Sequence, residues 1–166
     1  MKTSIDSLPS SMIRSAHPLD TPAIERLLTA ADLPLAGLSD ALPGMVVAES
    51  GGAIVGTAAL EVRGNNALLR SVAVAPEWRS RGLGRALVAR AIADAEARGL
   101  DAVYLLTTSA ERYFPSFGFR PTTRGAVPRE LQTTAEFNGA CPDSAVVMCR
   151  DCGVTEAPAR ASIAPS

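Results

Sequence analysis

The sequence has few of the residue types from which metal centres, disulfide frameworks and membrane spans are built. Its 166 residues include one histidine and three cysteines, and the formal net charge is −1. The three cysteines lie near one end, where Cys149 and Cys152 form a C-x-x-C pair with no second pair to complete a zinc site. The balanced charge excludes a general attraction for nucleic acid. We therefore expect neither a metal nor a nucleic-acid partner.

Long apolar runs are also absent. No run approaches the roughly 20 residues that span a bilayer, and residues 1–10 lack the hydrophobic stretch of a signal peptide. These absences predict no membrane association and a cytoplasmic location. The length fits one domain, which we place at residues 11–151, after a loose leader at 1–10 and before a disordered tail at 152–166.

The most informative motif follows an apolar strand and opens a helix. It reads Arg79-Ser80-Arg81-Gly82-Leu83-Gly84-Arg85. Glycines let the backbone approach a ligand closely, and the first turn of a helix offers N–H groups without intrahelical partners. The arginines add charge-assisted donors at the same point. This combination predicts a site for the phosphates of a large cofactor, although the motif is neither a P-loop nor a dinucleotide fingerprint.

Apolar runs and turn signals predict an α/β order of elements. Strands are expected at residues 11–16, 45–49, 54–62, 67–74, 101–107, 119–121 and 144–150. A three-residue, glycine-rich connection at 50–52 joins the second and third strands as a hairpin. Helical segments are expected between 21 and 33 and at 35–42, 82–98, 110–117 and 129–136.

With Arg79-x-x-Gly82-x-Gly84 between the fourth strand and the long helix, this order resembles the GNAT family of N-acetyltransferases. The motif fits the family's acetyl-CoA motif, Arg/Gln-x-x-Gly-x-Gly/Ala. The segments 71–76 and Phe117-Gly118-Phe119 strengthen the likeness, which covers residues 12–150. It implies the GNAT fold, which has a mixed, mainly antiparallel central sheet flanked by helices on both faces. It also implies acetyl-CoA as co-substrate and a small amine as acceptor.

Within that family the chain is most similar to small N-acetyltransferases associated with arsenic-resistance genes. The shared segments are 68–74, 104–108, Glu136-Phe137 and 141–146. Residues 105–108 also resemble acetyltransferases that make N-acetylglutamate. Both likenesses imply an amino-acid-like acceptor, either an arsenic- or phosphorus-containing glutamate analogue or glutamate itself. Because dimers are common among such proteins, a homodimer is a candidate assembly.

The resemblance also assigns cofactor residues. The pyrophosphate would lie over the N–H groups of Arg81, Gly82, Gly84 and Arg85, with Arg79 fixing the loop. The backbone of Val72 and Val74 would pair with pantetheine as an added strand does. The predicted cofactor site further includes Ala73, Ser80, Leu83, Thr107 and Phe114.

The catalytic groups are less defined because Phe114 stands where many relatives have a tyrosine acid. The neighbouring Tyr113 is either the acid or a packing residue. Glu61, Glu111 and Glu136 are the candidate bases, each also readable as a surface charge. The one histidine, His17, is expected to be structural or to face solvent.

Arg70 is a charged residue in an apolar strand, so it needs a partner or a cavity. It either clamps a substrate oxyanion or forms an internal ion pair. Ser71, Thr107 and Thr108 are polar neighbours at the strand ends, where Ser71 and Thr108 are candidate substrate contacts.

Two functions from other classes remain open. The lack of an obvious base allows a catalytically weak acetyl-CoA sensor. Cys141 and the two C-terminal thiols allow an arsenical-binding protein, because thiolates select soft ions.

Overall fold

The computed structural model describes residues 12–152, which form one mixed sheet with helices on both faces. The predicted leader and most of the predicted tail lie outside the described residues. The sheet has seven strands in the order β1-β2-β3-β4-β5-β7-β6. They are β1 (Ile13–Ser15), β2 (Met45–Ser50), β3 (Ala53–Arg63), β4 (Asn66–Val74), β5 (Ala102–Thr107), β6 (Arg120–Thr122) and β7 (Val146–Asp151). Only β4 and β5 pair in parallel, so the predicted mixed and mainly antiparallel sheet is confirmed.

The α-helices are α1 (Thr21–Ala30), α2 (Leu38–Ala41), α3 (Leu83–Ala97) and α4 (Arg129–Gln132). The helix predicted at 110–117 is instead a turn followed by a 3₁₀ helix at Phe114–Phe117, with Pro115 in its first turn. The segment predicted at 129–136 divides into α4 and a 3₁₀ helix at Ala135–Asn138.

The β2–β3 hairpin is one residue tighter than predicted. Ser50 pairs with Ala53, which leaves Gly51 and Gly52 as the connection. Both have positive φ, 57° and 81°. Two left-handed residues match the twist of a two-residue hairpin, and glycine adopts this conformation without steric cost.

Side chains alternate between the two faces of the sheet and form a core on each. One core packs the inner side of α3, represented by Leu87 and Ala91, against Val46, Leu60 and Leu69. On the other face, α1 and α2 cover residues that include Met45, Val47 and Ala59, while α4 covers Leu68 and Val147. Within residues 12–152, no helix is long and apolar enough to cross a membrane.

A β-bulge in β4 breaks this alternation where the strand approaches the predicted cofactor loop. The register between β3 and β4 shifts between Thr57 and Ala59, and Ser71 has a φ of 58°. Thr57 Oγ1 donates a 2.7 Å hydrogen bond to the carbonyl of Ser71. Because a bulge adds one residue to one strand, the residues that follow change faces. As a result, Val72 and Val74 pack towards the α3 side and Ala73 towards the α1 side.

The two parallel strands then diverge. Their pairing runs from Asn66 and Ala102 to Leu68 and Tyr104, although both strands continue beyond those residues. The second half of each strand therefore borders an open cleft, as the sequence analysis expected for the strand ends.

Gly44 provides a test of the packing between β2 and β3. A Cβ atom at this position would lie 2.1 Å from the carbonyl oxygen of Leu60, which is backbone and cannot move aside. We expect Gly44→Ala to lower the free energy of unfolding by about 2–3 kcal/mol, measured by urea denaturation. Gly125→Ala is the matched control, because a Cβ there would meet nothing within 4 Å. Equal unfolding midpoints for the two variants would contradict this packing.

Candidate active site

The cleft between β4 and β5 holds a cavity of about 320 Å³. Its walls are the second half of β4, the end of β5, the first turn of α3 and the segment around Tyr113. The lining residues predicted from the sequence are Arg70, Ser71, Val72, Ala73, Val74, Gly84, Thr107, Tyr113 and Phe114. The cavity therefore brings together predicted cofactor, substrate and catalytic residues. Thr108 is exposed and does not line it.

The predicted phosphate loop lies beside the Gly84 end of this cavity. Ser80 and Gly82 both have positive φ, 65° and 87°, so the chain turns sharply into the start of α3. The first backbone hydrogen bond of the helix is donated by the amide of Ala86 to Gly82. The N–H groups that precede Ala86 in this turn are the ones that a helix leaves without intrahelical acceptors, and they favour an anion.

Three arginines hold the loop and its surroundings. Arg79 Nε donates to the carbonyl of Val74 at 3.0 Å, which ties the loop to the end of β4. The guanidinium of Arg81 lies over the ring of Trp78, and that of Arg85 over Phe117, at 4.8 and 4.6 Å from the ring centroids. All three arginines are exposed, so their charge is available to a ligand at the helix start.

Leu83 contributes differently, because its side chain is 1% exposed and packs in the core. Only its backbone can take part in the predicted cofactor site. The left-handed backbone conformation of Ser80 was not predicted from the sequence, because only the glycines of the loop indicated positive φ angles.

The other end of the cavity contains a buried ionic network centred on Arg70. The Arg70 side chain is 0% exposed, and its Nη1 donates to Glu61 Oε1 at 3.1 Å. Its Nη2 donates to the carbonyl of Ala36 at 2.7 Å, and its Nε lies 3.3 Å from Ser71 Oγ. The second Glu61 oxygen, Oε2, accepts from Arg63. These contacts favour the internal ion pair over the free substrate clamp as the interpretation of Arg70.

Glu136 completes the network from the 3₁₀ helix at Ala135–Asn138. Its Oε2 lies 3.5 Å from Arg70 Nε, and the residue is 5% exposed. Burial raises the pKa of Glu136, while the nearby Arg70 guanidinium lowers it. The Cys141 thiol faces the same carboxylate, and burial together with that charge raises the pKa of Cys141 to about 12.

The other candidate acid–base groups differ in their position relative to the cavity. Tyr113 lines the cavity, its hydroxyl lies 3.5 Å from the position of a Cβ on Gly84, and burial raises its pKa. Glu111 is exposed and lies outside the cavity lining, and Glu61 is enclosed between two arginines. His17 caps a 3₁₀ helix by accepting the amide of Leu19, which agrees with the structural role expected for it.

Sequence analysis missed several wall residues. Leu33 and Pro34, in the loop between α1 and α2, and Ser109, after β5, line the cavity. No local pattern marks them, because they reach the cleft only when the loop is folded over β4. The carbonyl of Ala36 that binds Arg70 belongs to the same loop.

The cysteines lie in different surroundings. Cys141 lines the cavity, whereas Cys149 and Cys152 are each 4% exposed, Cys149 in β7 and Cys152 in the core under α3. Among the described residues no group of three or more His, Cys, Asp or Glu side chains is arranged to hold a metal ion.

A larger groove of about 600 Å³ lies on the side of α1 and the β2–β3 hairpin. Its principal charges neutralise one another, since Arg14 contacts both Asp20 and Glu49 at 2.8 Å. We therefore regard the cleft between β4 and β5 as the candidate active site.

Comparison with known proteins agrees with this choice. A family model described as an acetyltransferase (GNAT) domain matches residues 43–121, which include the loop and both cleft strands. No curated protein sequence matches the chain significantly.

Several solved structures share the architecture. N-acetylglutamate synthase from Neisseria gonorrhoeae, in complex with coenzyme A and N-acetyl-glutamate, has a TM-score of 0.72 and 24% identity over 84% of this chain. This chain spans only 34% of that protein's length. Rv2747 from Mycobacterium tuberculosis, in complex with CoA and NLQ, has a TM-score of 0.67 and 25% identity over 84% of this chain and 98% of its own.

An acetyltransferase of the GNAT family from Staphylococcus aureus has a TM-score of 0.70 and 19% identity over 84% of this chain and 97% of its own. The chain therefore has the GNAT fold predicted from its sequence, and residues 43–121 match the acetyltransferase domain of that family.

Arg70 generates a stability prediction. We expect Arg70→Met to lower the free energy of unfolding by about 3–5 kcal/mol, because Glu61 then keeps only Arg63 as an ion-pair partner and Glu136 loses Arg70. Arg90→Met is the control, since the Arg90–Asp94 pair is more than a third exposed on both sides, and loses at most about 0.5 kcal/mol. Denaturant unfolding measures both.

The double variant Glu61→Gln/Arg70→Met separates ionic pairing from simple packing. We expect it to recover part of the loss, because one of the two buried carboxylates that Arg70 neutralises is gone. A double variant less stable than Arg70→Met alone would contradict the ion-pair explanation.

Proposed function

We propose that this protein is an N-acetyltransferase that transfers an acetyl group from acetyl-CoA to the amine of a small amino-acid-like substrate. The observation that carries the proposal is the continuity of the site. One cavity extends from the phosphate-type helix start at Gly84, past the half of β4 that does not pair with β5, to the buried acid Glu136. A long cofactor can lie along this path with its thioester next to the acceptor.

The cofactor residues keep the roles assigned above. The N–H groups at the start of α3 receive the pyrophosphate, and the exposed arginines add charge around it. The backbone of Val72 and Val74 offers hydrogen bonds to pantetheine, as an edge strand does to an added one. Thr107 and Phe114 border the same path. Binding both reactants in line supplies much of the rate, because oriented groups react at high effective molarity.

Tyr113 is our proposed acid for the departing thiolate. Its raised pKa keeps the phenol protonated at neutral pH, which is the form that donates a proton. Its ring also packs edge-on against Phe114 and Phe117, at centroid distances of 5.2 and 5.4 Å, which fixes its orientation.

The acceptor that we propose is glutamate-like, and includes phosphorus- and arsenic-containing analogues of glutamate. The shared segments at 68–74, 104–108 and 141–146 support it, as does the fold shared with a synthase whose structure contains N-acetyl-glutamate. The small size of the cavity agrees with a single amino acid. Ser71 remains the proposed polar contact for this acceptor. The predicted cytoplasmic location and homodimer stay predictions.

An acceptor panel tests this proposal. Release of free CoA from acetyl-CoA is measured with L-glutamate, L-glutamine, neutral amino acids, and the phosphinic and arsenic analogues of glutamate. We expect release with glutamate-like acceptors, at kcat/KM at least about tenfold above the neutral ones (1.4 kcal/mol). Saturable acetyl-CoA binding without release from any acceptor would favour the sensor. Arsenite affinity that is lost on Cys141→Ser, without CoA release, would favour the arsenical-binding protein.

A substitution at Gly82 tests the proposed acetyl-CoA site separately from the acceptor site. A Cβ at Gly82 would stand in open space at the start of α3, where we place the phosphates, and Gly82 has a φ of 87°. Gly99, at the other end of the same helix, has a φ of 71° and equally open surroundings. We expect both Gly82→Val and Gly99→Val to lose about 1–2 kcal/mol of stability from left-handed strain.

Only Gly82→Val is expected to lose affinity for acetyl-CoA, by about tenfold or more (1.4 kcal/mol). Isothermal titration calorimetry measures the affinity of the two variants and the parent protein. If both variants lost affinity for acetyl-CoA to the same extent, or if Gly82→Val lost none, the placement of the phosphates would be contradicted.

A further inference from the structure

We propose that Glu136 is the catalytic base that takes the proton from the attacking amine, and that Arg70 is the residue that positions it. This inference rests on the proposed function and names a catalytic group within the same site. Three observations carry it. Glu136 lines the cavity, its oxygens are less fully hydrogen-bonded than those of Glu61, and the groups around it raise its pKa.

Glu136 is the only carboxylic acid among the described residues that line the cavity. It shares that lining with Val72 and Val74, whose backbone we propose binds pantetheine. Glu111 is exposed elsewhere, so it meets bulk water rather than the acceptor. A base must lie within hydrogen-bond reach of the proton that it removes, and Glu136 alone of the three candidates faces the same space as the reacting groups.

The contrast with Glu61 shows why one buried carboxylate can react and the other cannot. Glu61 accepts hydrogen bonds at both oxygens, from Arg70 at Oε1 and from Arg63 at Oε2, and is 1% exposed. Glu136 is paired more loosely, at 3.5 Å from Arg70 Nε. It also has a hydrogen bond with the Cys141 thiol, and we assign its remaining lone pairs to the N–H groups of an amine.

Arg70 positions Glu136 because its own guanidinium is fixed on three other sides. Its partners are Glu61 on β3, the carbonyl of Ala36 in the α1–α2 loop, and Ser71 on β4. Gly37 leaves room for it, since a Cβ there would lie 2.9 Å from Arg70 Nη1. An arginine held in this way provides a fixed positive charge beside Glu136.

The groups around Glu136 also affect its basicity. The groups that act on Glu136 are Arg70 from β4, Glu61 from β3 and the Cys141 thiol. Burial and Glu61 raise its pKa, while Arg70 and Cys141 lower it, and the net direction is upwards. A raised pKa makes a carboxylate a stronger base than an exposed one.

The proposed step balances as follows. Glu136 takes one proton from the acceptor ammonium, and the free amine nitrogen attacks the thioester carbonyl carbon. A C–N bond forms, the C–S bond breaks, and the sulfur leaves with the bonding electron pair. The second proton lost by the nitrogen ends on that sulfur, and we propose that Tyr113 relays it. Glu136 returns its proton to solvent.

The first experiment compares the pH dependence of kcat in the parent protein and Glu136→Gln, with L-glutamate and L-glutamine as acceptors. We expect Glu136→Gln to lose about 100-fold or more in kcat at neutral pH. The loss shrinks as the pH approaches the pKa of the acceptor amine, because free amine then needs no base. The acid limb of the parent profile disappears in the variant. Glu25→Gln, an exposed glutamate on α1 that does not line the cavity, keeps the parent profile.

The outcomes separate the two proposals. An active parent protein whose Glu136→Gln variant retains the acid limb, or loses activity equally at every pH, overturns the role of Glu136 and leaves the proposed function standing. No CoA release from any acceptor in the panel overturns the proposed function, and this inference with it.

A second measurement tests the position of Glu136 without turnover. The Cys141 thiolate is the form that reacts with iodoacetamide, and the Glu136 charge helps to raise the pKa of that thiol. We expect Glu136→Gln to speed alkylation of Cys141 several-fold at pH 9, while the buried Cys149 and Cys152 stay unreactive in both proteins. Arg70→Lys, which keeps a positive charge, should retain the slow parent rate. An unchanged rate in Glu136→Gln would overturn the placement of the carboxylate against the cavity.

Discussion

The guanidinium of Arg70 is the interaction on which the acceptor end of the cavity depends. It joins β3 through Glu61, the α1–α2 loop through the carbonyl of Ala36, and the 3₁₀ helix at Ala135–Asn138 through Glu136. These segments are distant in sequence and meet around this charge. If the buried arginine is removed, carboxylates that it neutralised stay in a low-dielectric environment with less opposite charge beside them. The three segments are therefore held together by electrostatics as well as by packing.

The bulge at Ser71 and the divergence of β4 from β5 make the space that this network borders. A regular β4 would direct every second side chain to the same face and pair with β5 along its whole length. The extra residue at Ser71 changes which side chains face α3, and the parallel pairing stops at Leu68. The cleft therefore combines a stretch of β4 whose β5-facing side has no partner strand with the first turn of α3. One arrangement supplies hydrogen bonds for an extended ligand and donors for its phosphates.

Most of the fold was predictable because its signals are local. Apolar runs and turn signals predicted strands close to all seven that the structure describes. The glycines at 51–52 located the hairpin, although pairing of Ser50 with Ala53 made it one residue tighter than predicted. The segment at 110–117 was wrong in helix type, since Pro115 favours a 3₁₀ turn there. Of the residues predicted for the site, Gly84 and those of β4 line the cavity, but Leu33, Pro34 and Ser109 were missed, because no local pattern shows which residues outside the strands the packed structure brings to the cleft.

The sequence by itself determined the chemistry that the chain carries: the glycine and arginine loop at a helix start, the apolar β4 with one arginine in it, and a phenylalanine where many relatives have a tyrosine. The first two follow from residue type and spacing along the chain, and the third from the resemblance to the GNAT family. Only the tertiary structure decided how the charges pair. Arg70 had two open interpretations, and the three glutamates had equal standing until folding enclosed Glu61 between two arginines, left Glu111 in solvent and placed Glu136 in the cavity. The reason is physical, because the environment of a charge depends on burial and on partners that are remote in sequence, and neither is written in the neighbouring residues.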